Sequence, residues 1–203
     1  MVDAFRQMAR DAGLWLTIGS FPEVSPSPDH TYNTQVLLTP DGQTHSVYRK
    51  MHLFDVTVDA QRSYSESDTI KPGDELVCAT LEAGEESVTV GQTICYDLRF
   101  PELYRRLVSR GATVLTVPSA FTRQTGRDHW HALLRARAIE NQAYVLAPDQ
   151  WGDHFGTRAS YGHTVVYDPW GQRLACAPDK VCLITAELDL DYLEDVRQRM
   201  PSL

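Results

Sequence analysis

Cys95 and its polar neighbours are the residues in this chain whose types and spacing best suit catalysis. A β-branched run over residues 88–94 leads into the cysteine, and Tyr96, Asp97 and Arg99 follow it directly. A cysteine acts as a nucleophile when it is a thiolate, a form that a nearby cation and a helix N-terminus both favour. The alternative is a buried structural cysteine, because free cysteine is among the most buried residue types. The polar neighbours favour the nucleophile.

Lys50 is a second candidate, because it also follows the end of a predicted strand. If the two strands are neighbours, its ammonium would lower the pKa of the Cys95 thiol and hold the oxyanion of a tetrahedral intermediate. An ordinary solvated lysine is the alternative, since lysine is rarely buried. A Cys/His dyad with His52 or His163 is a third arrangement that the sequence allows.

The segment around Cys95 has the order strand, turn, helix and strand. Pro101 suits the first turn of a helix, where a missing N–H costs nothing, and Gly111 is placed to end that helix. A second apolar run over residues 113–117 follows and stops at Pro118. This order, over about thirty residues, predicts a βαβ unit with Cys95 at the carboxyl end of its strand, where α/β sheets place reactive groups.

Apolar periodicity and turn residues predict the other elements. Helices are predicted over 3–12, about 129–142 and 191–199, strands over 14–19, 144–147 and 183–188, and hairpins pairing 35–38 with 44–48 and 163–167 with 172–175. A short loop over 22–28 and a long surface loop over 55–75 are expected. The mixture of hairpins and βαβ units predicts one α+β or layered α/β domain.

Composition and charge narrow the class of protein. The chain has 203 residues, 42% of them hydrophobic, enough for one core. A net charge of -8 argues against a nucleic-acid partner. The sequence has no run long and apolar enough for a membrane span, no signal-peptide layout, no CxxC spacing and no phosphate-binding loop. We therefore expect an intracellular globular protein with reduced thiols, without membrane attachment, metal or nucleotide cofactor.

Five runs of the sequence, in order, resemble the nitrilase (carbon–nitrogen hydrolase) superfamily. The runs are 48–55, 94–102, 118–121, 135–141 and 161–171. The resemblance extends from about residue 10 to the C-terminus. Within the superfamily the chain is most similar to the Nit branch, whose members are amidases of deaminated glutathione and of ω-amides of 2-oxo acids.

The resemblance implies a catalytic role for three residues. Lys50 and Cys95 match the family's catalytic lysine and cysteine, and Glu66 matches a supporting glutamate. In the family mechanism the thiolate attacks the amide carbon, ammonia leaves, and water hydrolyses the thioester. Lys50 and the backbone N–H of Tyr96 would then hold the oxyanion.

The resemblance also implies which residues bind the substrate. Ser119 and Phe121 are expected to line the pocket, although Phe121 is equally suited to the core. Arg99 is a candidate for binding a substrate carboxylate. Its alternative is a structural ion pair with Asp97 or Glu102.

The implied fold is an α-β-β-α four-layer sandwich, a single domain over 1–203 that lacks the family's usual N-terminal strands. The family's general-base glutamate belongs to a Pro-Glu motif on one of those strands, and Glu23, after Pro22, lies too late in the chain to match it. Without that base we expect a loss of several powers of ten in rate. The function predicted is therefore an amidase of a small carboxylated amide, with a catalytically silent interaction module as the alternative.

Assembly and location follow from the same resemblance. It implies a homodimer that packs through the helix after the cysteine and the helix near 129–142. The apolar stripe of the latter helix, at Trp130, Leu133 and Leu134, is equally explained by packing on the chain's own sheet. The expected location is cytoplasmic, or mitochondrial if a longer N-terminal segment exists.

Overall fold

A computed structural model describes residues 1–59, 62–84, 86–154 and 158–203. The helices are α1 (Val2–Ala12), α2 (Pro101–Val108), α3 (Arg123–Thr125), α4 (His131–Asn141) and α5 (Leu190–Arg199). The strands are β1 (Leu16–Val24), β2 (Thr31–Leu38), β3 (Thr44–Arg49), β4 (Asp55–Asp59), β5 (Arg62–Ser65), β6 (Cys78–Ala83), β7 (Glu86–Gln92), β8 (Val114–Thr116), β9 (Tyr144–Ala147), β10 (Trp151–Asp153), β11 (Ala159–Tyr161), β12 (Val165–Tyr167) and β13 (Arg173–Cys176). Short 3₁₀ turns cover Glu66–Asp68 and Cys95–Arg99, and a π turn covers Gly126–Trp130.

The larger sheet has six strands in the order β13-β12-β9-β8-β7-β6. Its centre, β7-β8-β9, is parallel, and the outer strands pair antiparallel. Helix α2 connects the parallel neighbours β7 and β8, which confirms the predicted βαβ unit. The carboxyl ends of the three central strands therefore lie at one edge of the sheet.

A second, three-stranded antiparallel sheet, β1-β2-β3, packs face to face on the larger one. Buried amides join the two faces. Gln35 donates to Thr116 Oγ1 at 3.1 Å, and Gln92 donates to Gln35 Oε1 at 3.2 Å. Gln35 and Gln92 are both fully buried. Their hydrogen bonds satisfy polar groups whose burial between the two sheets would otherwise cost free energy.

Helices cover the outer faces. Helix α1 packs on the smaller sheet through a cluster of buried Ala9, Ile18, Val36 and Leu38. Helices α2 and α4 cover the larger sheet, where the main core lies. The layers are therefore helix, sheet, sheet and helix, as predicted. Within α4 and the preceding turn, Leu134 and Trp130 are completely buried in the chain's own core, so the apolar stripe is used internally. The homodimer remains a prediction.

Three predicted segments were wrong. Strand β1 continues through Pro22 to Val24, because it lies at a sheet edge, where a proline costs no ladder hydrogen bond. The expected long loop over 55–75 contains the β4-β5 hairpin, and residues 55–59 do carry the polar–apolar alternation that is typical of a strand. Residues 183–188 form no strand: Leu183 is 87% exposed, and apolar residues without a neighbouring strand do not form a ladder.

Truncation of a core residue tests this assignment of layers. Leu115 lies on β8, fully buried between the sheet and its helices. Leu115→Ala should lower the free energy of unfolding by about 2–5 kcal/mol, because it removes apolar contacts and leaves a cavity. The matched control is Leu174→Ala on β13, where the side chain is 43% exposed. Urea unfolding followed by tryptophan fluorescence measures both, and equal losses would contradict the assignment.

Candidate active site

Cys95 lies at the junction between the central strand β7 and the 3₁₀ turn that precedes α2. Its backbone φ is 48°, in the left-handed region that a side chain with a Cβ rarely adopts. The turn is held from both sides: Cys95 N donates to Pro118 O at 3.0 Å, and Arg137 donates to Leu98 O at 3.1 and 2.8 Å. A rare backbone conformation persists only where the surroundings enforce it. The sheet and α4 therefore determine where the sulfur lies.

Lys50 follows β3 directly, and its side chain is only 3% exposed. Its Nζ donates to Glu66 Oε2 at 2.5 Å. The same oxygen accepts from Phe54 N at 2.6 Å, and Asn33 Nδ2 donates to Glu66 Oε1 at 3.2 Å. Glu66 is thereby fixed by three donors and neutralises the buried ammonium. The structure brings the predicted Lys50 and Glu66 together.

The ionisation of Cys95 reflects its burial and its neighbours. Burial raises the pKa of the Cys95 thiol above its ordinary value, while the Lys50 ammonium and a hydrogen bond from the Ala120 backbone lower it. The carboxylates of Asp149 and Glu66 raise the same pKa further. Burial is the largest of these effects, so the net shift of the Cys95 pKa is upward.

A cavity of about 620 Å³ opens beside these groups. Cys95, Lys50, Glu66, Tyr96 and Phe121 all border it. The remaining lining residues are Ser20, Asn33, Phe54, Ser63, Tyr64, Ser65, Thr69, Ile70, Ala120, Thr122, Thr125, Gln150, His154, Arg158, Ala159 and Ser160. The cavity has the volume expected of a small-molecule site.

Arg99 lies outside this lining. Its guanidinium lies 5.7 Å from the ring centre of Tyr96 and 5.5 Å from that of Phe121. The alternative role expected from the sequence was a structural ion pair with Asp97 or Glu102. Arg99 forms no such ion pair among the described residues. Arg99 therefore supports the two rings that border the cavity.

Ser119 also lies outside the lining, since its hydroxyl donates to Val117 O at 3.1 Å. Phe121 does both things that the sequence allowed. It borders the cavity and also packs on Trp130, with ring centres 5.0 Å apart. Neither His52 nor His163 borders the cavity, so the structure does not bring either together with Cys95 as a dyad.

Asp149 lies outside the cavity lining but close enough for its charge to act on Cys95, and sequence reasoning missed it. It follows β9 at the carboxyl edge of the sheet and is 8% exposed. Its Oδ1 accepts a hydrogen bond from Phe121 N at 2.8 Å, and its Oδ2 has no partner in the described parts of the chain. Burial raises the pKa of Asp149 to about 7, against backbone hydrogen bonds that lower it. No local pattern separates this aspartate from an ordinary polar loop residue.

Comparison with known proteins identifies the family. The model of the carbon-nitrogen hydrolase family matches residues 1–198. A protein of Synechocystis named deaminated glutathione amidase is 46% identical over 97% of this chain and 72% of its own length. The chain belongs to the carbon-nitrogen hydrolase family. It spans between 61% and 72% of the length of such curated relatives.

Solved structures of this family support the fold. The NitFhit protein of C. elegans matches with a TM-score of 0.92 and 42% identity over 98% of this chain, which is 48% of that protein. Nit3 of Saccharomyces cerevisiae, a member of branch 10 of the nitrilase superfamily, matches with a TM-score of 0.87 and 36% identity over 98% of this chain and 69% of that one. The nitrilase-like layers predicted from the sequence are therefore confirmed.

The described residues also bear on metal binding and on membrane insertion. The described ranges contain no group of three or more His, Cys, Asp or Glu side chains arranged to share a metal ion. None of the helices described is both long and apolar enough to cross a membrane.

The raised pKa of Asp149 predicts a pH-dependent cost in stability. The folded protein keeps a proton that the unfolded chain, with an ordinary pKa of 3.8, loses first. The free energy of unfolding therefore falls as the pH rises from about 4 to about 7, by about 1.4 kcal/mol for each pH unit. Asp149→Asn keeps an oxygen for Phe121 N but cannot ionise. We expect its free energy of unfolding, relative to wild type, to rise by on the order of 2 kcal/mol between pH 5 and pH 8.

Urea unfolding at the two pH values measures this difference. The matched control is Asp153→Asn, whose carboxylate is 77% exposed and should change in parallel with wild type. A constant difference between Asp149→Asn and wild type across pH would show that Asp149 ionises normally.

Proposed function

We propose that this carbon-nitrogen hydrolase is an amidase that hydrolyses the C–N bond of a small carboxylated amide through a thioester on Cys95. Deaminated glutathione and the ω-amides of 2-oxo acids are the substrates that its relatives and its resemblance suggest. The observation that carries the proposal is that Cys95 and the buried Lys50–Glu66 pair border one cavity. An interaction module without catalysis is not favoured, because the matched relatives are named amidases.

The geometry suggests how the tetrahedral intermediate is stabilised. The Cys95 sulfur forms a bond to the amide carbon, and the carbonyl oxygen becomes an oxyanion. The Lys50 ammonium is one donor to that oxygen. The N–H of Tyr96, at the start of the 3₁₀ turn, has no hydrogen-bond partner in the described structure and supplies the second. The C–N bond then breaks as the proton of the Cys95 thiol passes to the nitrogen, and the amine leaves, which is ammonia for a primary amide. Water next adds to the thioester carbon, the C–S bond breaks, and the sulfur takes a proton from that water, which restores the thiol and releases the carboxylic acid.

Glu66 acts in this scheme by holding Lys50. Its carboxylate already accepts from three donors, so it fixes the position of the ammonium. Glu23 takes no part, since its carboxylate is bound to Arg49 at 2.7 and 2.8 Å and to Thr34 at 2.7 Å, outside the cavity. This agrees with the expectation that Glu23 does not match the family's general base.

Removal of the nucleophile tests the proposal. Cys95→Ala should abolish hydrolysis of deaminated glutathione and of 2-oxoglutaramate, since no thioester can form. Mass spectrometry of the released amine and carboxylate measures the reaction. The matched control is Cys182→Ala, because Cys182 is an exposed free cysteine outside the cavity and should keep full activity. A folded wild-type protein that releases no product would instead support the silent module.

A second cationic side chain of the lining suggests how a substrate carboxylate is bound. Besides Lys50, whose ammonium is paired with Glu66, the cavity is bordered by Arg158, together with His154 and Ser160. A guanidinium matches a carboxylate through two parallel hydrogen bonds. We therefore assign carboxylate binding to Arg158, with Arg99 supporting the aromatic part of the lining.

Replacement of Arg158 should weaken the binding of carboxylated substrates and leave that of neutral ones unchanged. Arg158→Met should raise KM for a carboxylated amide by about tenfold or more, the value of one charge-assisted hydrogen bond. A neutral amide of similar size should be hydrolysed as by wild type. Steady-state kinetics on the two substrates measure the split, and Arg127→Met, an exposed arginine outside the cavity, is the control. Equal effects on both substrates would contradict the assignment.

A homodimer and a cytoplasmic or mitochondrial location also stay predictions. Sedimentation velocity of the purified chain would decide the oligomeric state.

A further inference from the structure

Asp97 is a buried carboxylate that the mechanism above does not use. It lies two residues after Cys95, and its exposed fraction is 0%. Its Oδ2 accepts from Tyr48 Oη at 2.7 Å and from Ile94 N at 2.9 Å. Its Oδ1 accepts from His52 N at 3.0 Å and lies 2.7 Å from Nδ1 of His52. Each of the two carboxylate oxygens therefore accepts hydrogen bonds from two donors.

The donors to Asp97 stand on either side of the reactive residues. Tyr48 precedes Lys50 by two positions along β3, and His52 follows it by two. Ile94 directly precedes Cys95. One carboxylate thus joins the end of a strand in the smaller sheet to the cysteine turn of the larger sheet.

The surroundings leave little freedom in this connection. Tyr48 is completely buried, and the ring of His52 stacks on Phe100 with centres 3.7 Å apart. Buried donors that lose their acceptor cost free energy, and networks of this kind are rigid when all members are paired. An amide in place of the carboxylate would direct an NH₂ group at donors on one side, so Asn cannot replace Asp97 here without a change in the network.

We infer that Asp97 is a positioning residue that fixes the Lys50 ammonium beside the Cys95 sulfur. The inference rests on the roles of Lys50 and Cys95 given in the proposed function. It explains why a fully buried acid with no Lys or Arg partner among the described residues is tolerated so close to the nucleophile. Four hydrogen-bond donors offset the cost of burying this carboxylate. Those donors belong to the two segments of the chain that contain Lys50 and Cys95.

Two substitutions test this inference. Asp97→Asn disturbs both sides of the network, and Tyr48→Phe removes one donor and keeps the ring. We expect Asp97→Asn to lower kcat by about 10- to 100-fold, the usual effect of misplacing a reactive group by about an ångström, with KM within about twofold of wild type. Tyr48→Phe should give a smaller loss in kcat. The control is Asp128→Asn, an exposed acid paired with Arg127.

A second readout separates positioning from stability. The rate of Cys95 alkylation by iodoacetamide, followed across pH by peptide mass spectrometry, reports thiolate formation. Because the Lys50 ammonium favours the thiolate, a displaced ammonium should move the midpoint of this profile to higher pH in Asp97→Asn and, by less, in Tyr48→Phe. Asp128→Asn should keep the wild-type profile.

The outcomes are distinct. Variants that unfold more easily but keep the wild-type kcat and alkylation midpoint would overturn the inference, since Asp97 would then be structural only. If Asp97→Asn does not fold, an unchanged alkylation midpoint in Tyr48→Phe overturns it. If wild type releases no product from any amide, the proposed function fails, while the alkylation profiles still decide the role of Asp97.

Discussion

The buried ion pair between Lys50 and Glu66 is the interaction on which the site depends. An ammonium that is 3% exposed is far more costly than a solvated one unless a counter-charge and hydrogen bonds replace the lost water. Glu66 supplies that charge only because Asn33 on β2 and the backbone of Phe54 hold its oxygens in place. The smaller sheet, the hairpin beside it and the turn at Glu66 must therefore fold together before the site exists.

The second constraint is the left-handed backbone at Cys95. At this position the side chain of Cys95 packs against the edge of the main core and also borders the cavity. The cost is met by contacts that are themselves buried: the β8 end through Pro118, α4 through Arg137, and the network of Asp97. Two residues of one short turn thus differ in their surroundings: Cys95 borders the cavity, and Asp97 is bound on all sides by protein donors.

The sequence predicted the parts of this molecule whose signals are local or carry a family motif. The βαβ unit follows from apolar runs, Pro101 and Gly111. The motif matches selected Lys50, Glu66 and Cys95, which border one cavity and whose catalytic roles stay predictions. The four layers, which the structure confirms, were also predicted from the family motifs. The features that the sequence could not predict depend on tertiary contacts. The extension of β1 through Pro22 depends on lying at a sheet edge, and the exposure of Leu183 depends on the absence of a neighbouring strand among the described residues.

The position of Asp149 shows the same limit for the site. Its sequence neighbours are those of a polar loop, and only the meeting of β8 and β9 at one sheet edge makes it a buried acid whose charge affects Cys95. Conversely, Arg99 and Ser119 carry polar groups in matched motifs but turn them toward other protein atoms. A motif assigns a residue to a region of the fold, while the direction of its side chain depends on packing.

The electrostatics of Cys95 are consistent with acyl transfer from an amide. An amine is a poor leaving group unless it receives a proton, and in the proposed mechanism the Cys95 thiol supplies that proton. Two carboxylates and burial favour the thiol, while Lys50 and the Ala120 backbone favour the thiolate. In the proposed mechanism the oxyanion forms next to the Lys50 ammonium as the C–S bond forms, and the thiol proton passes to the leaving nitrogen. Both steps depend on where Lys50 lies relative to Cys95, so the positioning role inferred for Asp97 bears directly on this chemistry.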